Sequence, residues 1–132
     1  MNMYYFCDDD GKTKYVWSKE ALPVDDRTPF LGKFVFKNMV CEDVHVAAGF
    51  FYGLPEQPIK SIELENIQFS YAKNPEAGIP AMMSFEEPRT KQGLYFNYVD
   101  DVRINNVSIQ GAEGETITLN HVKNKEIIDT TL

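Results

Sequence analysis

A local pattern of hydrophobic and polar positions, apolar-x-apolar-x-Asn-apolar-x-apolar, occurs three times along the chain. The copies are residues 34–41, 62–69 and 102–109. In each copy the alternation typical of a strand slips by one position at the asparagine, which is Asn38, Asn66 or Asn106. Asparagine tolerates the left-handed backbone conformation that a tight bend requires. Each copy is therefore predicted to be two short strands that meet at a bend and direct their apolar side chains to one interior.

A second series of segments alternates with the first and has Tyr98 or His121 at the equivalent slip. Its clear members are residues 93–99 and 116–122, in which Val99 and Val122 lie 23 residues apart. Residues 3–6 and 46–52 are shorter members, and residues 126–130 are a last copy of the first series. Insertions separate the copies near residues 8–28 and 73–89, with a shorter one at 53–58.

Short bent strands at this repeat length, with no amphipathic helix between them, are typical of a right-handed parallel β-helix. The 132 residues are predicted to be one all-β segment of this solenoid, with about four coils. Asparagines at equivalent corners are expected to stack as a hydrogen-bonded ladder. An antiparallel β-sandwich is the alternative fold. The recurrence of asparagine at equivalent bends favours the solenoid.

Composition narrows the classes of function. The chain is 43% hydrophobic, which indicates a packed core, and its net charge of -7 argues against nucleic acid or an anionic membrane as a partner. No apolar run approaches the roughly 20 residues of a membrane span, and the N-terminal residues do not resemble a signal peptide, so we expect a soluble protein in an unknown compartment. Cys7 and Cys41 are expected to be reduced thiols. The sequence predicts no metal site and no cofactor.

Acidic pairs are the natural candidates for hydrolytic chemistry. Glu63 and Glu65 share one strand face at a spacing of roughly 6.6 Å, near the lower limit for an inverting glycosidase. Both are predicted to point to solvent as ordinary surface charges, which leaves a small glycosidase as a third hypothesis. Asp100 and Asp101 are interpreted as turn residues, and His121 as a structural residue at its bend.

Tyrosines on the second series point to a different function. The outward faces of equivalent strands in a solenoid line up, and aromatic rings there form a flat platform that can stack on sugar rings. The candidates are Tyr4 or Tyr5, Tyr52 and Tyr95.

The run 50–67, with Gly53-Leu54-Pro55-Glu56, resembles a loop and coil of glycoside hydrolase family 28, the polygalacturonase-like pectin hydrolases. Residues 1–5, 34–41 and 93–109 are similar to later coils of that family, in the same order. The resemblance implies a β-helix, inverting hydrolysis of galacturonan-type polysaccharide, and a substrate contact at Tyr5. Tyr52, from the aromatic platform, is the second predicted binding residue. The family's Asn-Thr-Asp, Gly-His-Gly and Arg-Ile-Lys motifs are absent, so no catalytic residue is assigned.

Two hypotheses follow from these observations. The first is a C-terminal segment of a polygalacturonase-like glycoside hydrolase, non-catalytic by itself, so that any enzyme activity depends on a longer parent chain. The alternative is a structural or carbohydrate-binding β-helix module without hydrolase activity. In either case an uncovered first coil exposes core side chains and strand edges. We therefore expect self-association through the N-terminal end, or a refolded or swapped segment around residues 1–15.

Overall fold

The fold is built almost entirely of β-strands. The computed structural model describes residues 1–132, with β1 at Lys33–Val44, β2 at Ala47–Tyr52, β3 at Ile59–Tyr71, β4 at Gln92–Gln110 and β5 at Ile117–Ile128. The only α-helix, α1, is the single turn Lys14–Trp17, and 3-10 turns occupy Asp10–Lys12 and Pro80–Met82. The all-β prediction is confirmed.

The five strands form one sheet in which every pair of neighbours is parallel. β3 lies between β1 and β4, and β4 pairs with β2 and β5 as well as with β3. The sheet curls into a half-barrel. Parallel pairing of strands that follow one another in sequence requires crossover connections, and it excludes the antiparallel hairpins of the alternative fold.

The bends predicted at the three asparagines are present. Asn38, Asn66 and Asn106 have φ of 57°, 55° and 52°. Their side chains form the expected ladder, because Asn66 Nδ2 donates to Asn38 Oδ1 at 2.7 Å and Asn106 Nδ2 donates to Asn66 Oδ1 at 3.1 Å. The same corner is thus stacked in three neighbouring strands, and we call each successive layer of strands a rung.

The second series bends in the same way, at Tyr98 with φ 54° and at His121 with φ 49°. β4 contains both kinds of corner, Tyr98 and Asn106, within one continuous strand. This strand therefore turns twice around the interior.

The slip at each bend keeps apolar side chains inside on both sides of it. In β3, Ile62 and Leu64 precede the bend, Ile67 and Phe69 follow it, and all four are buried. The matching residues of β4 are buried as well, namely Val102, Ile104, Val107 and Ile109. These rows form the main core, to which β2 and the first part of β4 add Phe51, Leu94 and Phe96.

Two local expectations are wrong. Residues 3–6 do not form a strand, and the only β-pairing near them is two isolated bridges, at Asn2 and at Tyr5, because Asn2 Oδ1 accepts the Tyr4 N–H at 2.7 Å and turns the chain locally. Asp100 and Asp101 do not form a turn but lie within β4. The left-handed residue Tyr98 provides the change of direction, so the residues after it stay extended.

Candidate functional site

The outward face of the second series carries a set of aromatic and amide side chains. Because side chains alternate along a strand, β4 directs Phe96 to the core and Tyr95 and Asn97 to the opposite face. The register brings Phe50 of β2 beside Tyr95 and Asn120 of β5 beside Asn97. We call this surface, made of Tyr95, Asn97, Tyr98, Asn120 and His121, the outer face.

Hydrogen bonds connect the polar groups of the outer face. The Tyr95 hydroxyl accepts from Asn97 Nδ2 at 3.5 Å and from Asn120 Nδ2 at 3.4 Å. Asn97 Oδ1 lies 2.9 Å from His121 Nδ1. Asn97 is only 6% exposed, so its amide lies beneath the surface and fixes the positions of the Tyr95 hydroxyl and the His121 ring. Asn120 and His121 are exposed and present their polar atoms to solvent.

The bend residues of the second series form a flat pair of rings. Tyr98 and His121 stack with centroids 4.3 Å apart and planes at 8°. Both side chains sit at left-handed corners of adjacent rungs, which is why their rings coincide. The exposed imidazole is a flat surface of the kind on which a sugar ring packs.

Two covering segments add charge beside the outer face. Lys19 Nζ and Arg89 Nη2 each bind one carboxylate oxygen of Glu86 at 2.9 Å. The Lys19 ammonium lies 5.8 Å from the Tyr52 ring centroid, and the Arg89 guanidinium lies 5.6 Å from the Tyr95 centroid. Burial by itself raises the pKa of Glu86, but hydrogen bonds from Lys19 and Arg89 outweigh it and hold that pKa below its ordinary value. Glu86 is therefore an anchor for two cations and a poor proton donor.

Next to Arg89 is a polar depression of about 280 Å³. It is lined by six residues, none of them hydrophobic: Arg89, Thr90, Gln92, Glu113, Glu115 and Thr118. Arg89 Nε and Gln92 Oε1 are buried and have no hydrogen-bond partner. Both atoms are enclosed by protein, so the polar surface of the depression is provided by the other groups of its lining.

The tyrosines named from the sequence lie in different environments. Tyr4 is 1% exposed and packs edge-on against Tyr52 with centroids 5.2 Å apart. Tyr52 is 8% exposed and is surrounded by Phe50, Tyr95 and Tyr98. Tyr5 is 43% exposed and stacks on Phe6. Tyr52 therefore packs beneath the outer face, whereas Tyr5 lies on the surface. Substrate binding by Tyr5 and Tyr52 stays a prediction.

The paired glutamates are surface charges. Lys33 Nζ binds Glu63 at 2.6 Å and Lys37 Nζ binds Glu65 at 2.8 Å. The hydrogen bond from Lys33 is the main reason that the pKa of Glu63 is lowered. An inverting glycosidase needs one carboxyl group with a raised pKa as its acid. Glu63 does not provide one, and both glutamates are paired with lysines on the surface, which argues against the hypothesis of a small glycosidase.

Asp100 has a structural role across three rungs. Its carboxylate is bound by Lys60 Nζ at 3.0 Å from β3 and by Lys123 Nζ at 2.8 Å from β5. Burial by itself raises the pKa of Asp100, whereas hydrogen bonds from Lys123 and Lys60 lower it by more. The carboxylate is thus stabilised in its ionised form between two cations.

No group of three or more His, Cys, Asp or Glu side chains is arranged to hold a metal ion. None of the helices has the length and apolar character needed to cross a membrane. No protein-family model matches the sequence, and comparison with curated proteins and with solved structures gives no match.

Sequence reasoning found part of this surface. Tyr95, Tyr98 and His121 follow from the repeat, because each occupies a defined position in it. Lys19, Glu86 and Arg89 lie in insertions without periodicity, and no signal in the sequence places them over the tyrosines. Asn97 and Asn120 had a detectable signal, since each directly precedes a bend residue.

Proposed function

We propose that this chain is a carbohydrate-binding segment of a right-handed parallel β-helix and has no hydrolase activity of its own. The observation that supports it is the outer face, where the stacked rings of Tyr98 and His121 lie beside the side-chain amides of Asn97 and Asn120. Flat rings pack on the apolar face of a sugar, and amides bond its hydroxyl groups. The parallel strands and the stacked corners support the β-helix.

The sugar class proposed is an acidic, galacturonan-type oligosaccharide. Arg89 lines the polar depression and its guanidinium lies beside Tyr95, so it places positive charge for a sugar carboxylate next to a ring. The acidic residues Glu113 and Glu115 of the same depression restrict a carboxylate to the Arg89 side. The resemblance of residues 50–67 to polygalacturonase-like coils agrees with this choice. On that basis the chain is a C-terminal part of such an enzyme.

The proposed binding is tested by titrating the chain with a galacturonate trisaccharide, using calorimetry and amide chemical shifts. We expect weak binding, with Kd in the range of about 0.1 to 1 mM, since the surface is shallow. His121→Asn keeps a residue that tolerates the left-handed corner but removes the ring, so it should weaken binding about tenfold. His45→Asn is the matched control, because His45 only accepts a backbone hydrogen bond from Glu76 and should leave binding unchanged.

Three results would contradict parts of the proposal. Equal binding of His121→Asn and the unsubstituted chain would remove the outer face as the site. Release of reducing sugar from polygalacturonate by the purified chain would show that it has catalytic activity of its own. A galactose trisaccharide that binds as well as the galacturonate trisaccharide would overturn the acidic specificity assigned to Arg89.

A further inference from the structure

The end of the sheet formed by β1 is uncovered. β1 pairs only with β3, so the backbone groups on its other edge have no strand partner. Met39 is 40% exposed, although Ile67 and Val107, which follow it in the same row of successive rungs, are each 1% exposed. A cavity of about 410 Å³ opens here between β1 and β2, and 11 of its 12 lining residues are hydrophobic.

The opposite end of the sheet, at β5, carries apolar residues such as Ile127, which is 43% exposed, but it also has polar groups at two key positions. In β5 the position that pairs with buried Val102 is Lys125, a charge in an otherwise apolar row. Charged residues at core positions of an edge strand prevent another strand from docking. Asp129, with φ 45°, occupies the corner that follows Asn106, and an ionised carboxylate cannot donate a hydrogen bond to continue the ladder. The β1 end is therefore better suited to strand pairing than the β5 end.

β1 is complementary to itself on its inner face. When a second β1 is laid antiparallel to the first with the bends adjacent, Phe36 of one copy faces Met39 of the other. Phe34 then faces Cys41. All four are apolar and line or adjoin the open interior. The slip at Asn38 is required for this match, because it moves the apolar positions from even to odd numbers between the two halves of the strand.

The same register is complementary on the outer face of β1. Val35 faces Val40, and these side chains are exposed, with Val40 at 69%. Lys33 faces Glu42, and Glu42 has no ion pair within the chain. If the register of the two strands shifted by two residues, Lys37 would lie opposite Val40 and Lys33 would no longer face Glu42. Opposite charges and apolar pairs directly across an antiparallel ladder both stabilise it.

We propose that two copies of this chain pair through β1, antiparallel about a twofold axis at the Asn38 bend, into a head-to-head dimer. The twofold axis makes the contact isologous, so that each copy supplies both Lys33 and Glu42. The apolar interior becomes continuous through the dimer, and each open cavity is covered by the other copy. This dimer is proposed for the 132-residue chain and does not depend on carbohydrate binding; in a longer parent chain a preceding rung would pair with the same edge of β1.

Sedimentation velocity of the 132-residue chain over a concentration series tests the proposal. A monomer and dimer equilibrium is expected. Val40→Lys places a third positive charge near Lys33 and Lys37 and should weaken dimerisation about tenfold or more. Val24→Lys is the matched control, because Val24 is 57% exposed but lies in the insertion before β1, outside the paired strand, and dimerisation should be unchanged.

The register is tested with two charge-reversed chains. Lys33→Glu alone and Glu42→Lys alone each place like charges opposite one another in a homodimer, so each should be monomeric at concentrations where the unsubstituted chain is dimeric. In an equimolar mixture of the two, the introduced carboxylate of one chain faces the introduced ammonium of the other. The unchanged Glu42 of the first chain likewise faces the unchanged Lys33 of the second, so the mixture should restore the dimer. Circular dichroism and thermal unfolding of each variant establish that it is folded.

Three outcomes would overturn the proposal. One is an unsubstituted chain that remains monomeric across the series. Another is a mass that keeps rising with concentration, which indicates head-to-tail stacking of β5 on β1. The third is a mixture of the charge-reversed chains that stays monomeric while both are folded.

Discussion

Asn66 donates a hydrogen bond to Asn38, accepts one from Asn106 and has a left-handed φ of 55°. Two substitutions separate the contribution of these hydrogen bonds from that of the left-handed backbone conformation. Asn66→Gly loses both hydrogen bonds but has no penalty at positive φ, whereas Asn66→Ala also incurs the left-handed strain of about 1 kcal/mol. Glycine also adds entropy to the unfolded chain, which offsets up to about 1 kcal/mol of that difference. The alanine variant should therefore be no more stable than the glycine variant, as measured by urea unfolding, and an alanine variant clearly more stable than the glycine variant would contradict the assignment of strain.

Asn105 is the matched control for Asn66. It precedes a bend residue in β4, has an ordinary φ, and its side chain makes no hydrogen bond within the chain. Asn105→Ala should change the free energy of unfolding by less than about 0.5 kcal/mol. A loss of stability as large as that of Asn66→Ala would mean that asparagine in these strands stabilises the fold by something other than the left-handed bend and its hydrogen bonds.

Gly93 shows how closely the rungs approach at one point. A Cβ at this position would lie 2.0 Å from the Thr116 carbonyl oxygen, which is backbone of the next rung. Gly93→Ala must therefore displace a strand, and we expect a loss of about 3 kcal/mol in the free energy of unfolding. Gly32→Ala is the control, since its Cβ would meet only a Phe30 side-chain atom at 3.5 Å and should be nearly neutral. Urea titration of both variants compares them.

Strands β3, β4 and β5 are joined by the row Lys60, Asp100 and Lys123. The pKa of Asp100 is lowered in the folded chain, so the stability from this row is present above the ordinary Asp pKa and is lost as the pH falls through the folded value. Because both lysines are largely exposed, solvent screening limits the contribution to about 1 kcal/mol. Asp100→Asn should remove that part of the acid dependence. Urea unfolding at a series of acidic pH values measures it.

Asp101→Asn is the control for Asp100. Asp101 is exposed and accepts a hydrogen bond from Asn124 at 2.6 Å, without a lysine partner. Its variant should keep the acid dependence of the unsubstituted chain. If Asp100→Asn and Asp101→Asn gave the same pH profile, the ionic row would have no measurable effect on stability.

Several elements were predictable from local pattern because the slip at each asparagine is a local property of the sequence. The bends of β3 and β4, their buried rows and the ladder all follow from it. The strand expected at residues 3–6 does not form, since the Asn2 side chain competes for the Tyr4 N–H. The position of Arg89 over Tyr95 depends on how a long insertion folds back, and no periodicity encodes that. The repeat therefore predicts Tyr95, Tyr98 and His121 of the candidate site but not the charged residues beside them.

In the whole molecule, a second apolar cluster joins the N-terminal residues to the sheet through Tyr4 and Tyr52. Burial is the main reason that the pKa of Tyr52 is raised to about 12, and burial also raises the pKa of Tyr4. Because the folded chain keeps these protons, its stability should be complete below the ordinary tyrosine pKa of about 10 and fall as the pH rises from there towards about 12.

The comparison variant is Tyr52→Phe, which removes one of the two groups. Its free energy of unfolding should decline less steeply than that of the unsubstituted chain over the same alkaline range. Tyr15→Phe is the control, since Tyr15 is 44% exposed. Equal slopes for all three chains would show that Tyr52 ionises alike in the folded and unfolded states.

The long strand β4 also governs the order in which the chain can assemble. β2 leaves the ribosome earlier, yet it finds its in-register neighbour only after the insertion at residues 73–89 and then β4 have been synthesised, whereas β3 pairs with β1, which precedes it. Closure between β4 and β5 spans 23 residues, closure between β1 and β3 spans 28 and closure between β3 and β4 spans 40, so the C-terminal pair has the smallest entropic cost. Folding of the finished chain therefore starts from its last rungs, ahead of β1. Pulse-labelled hydrogen exchange that protected β1 amides before those of β5 would contradict this direction.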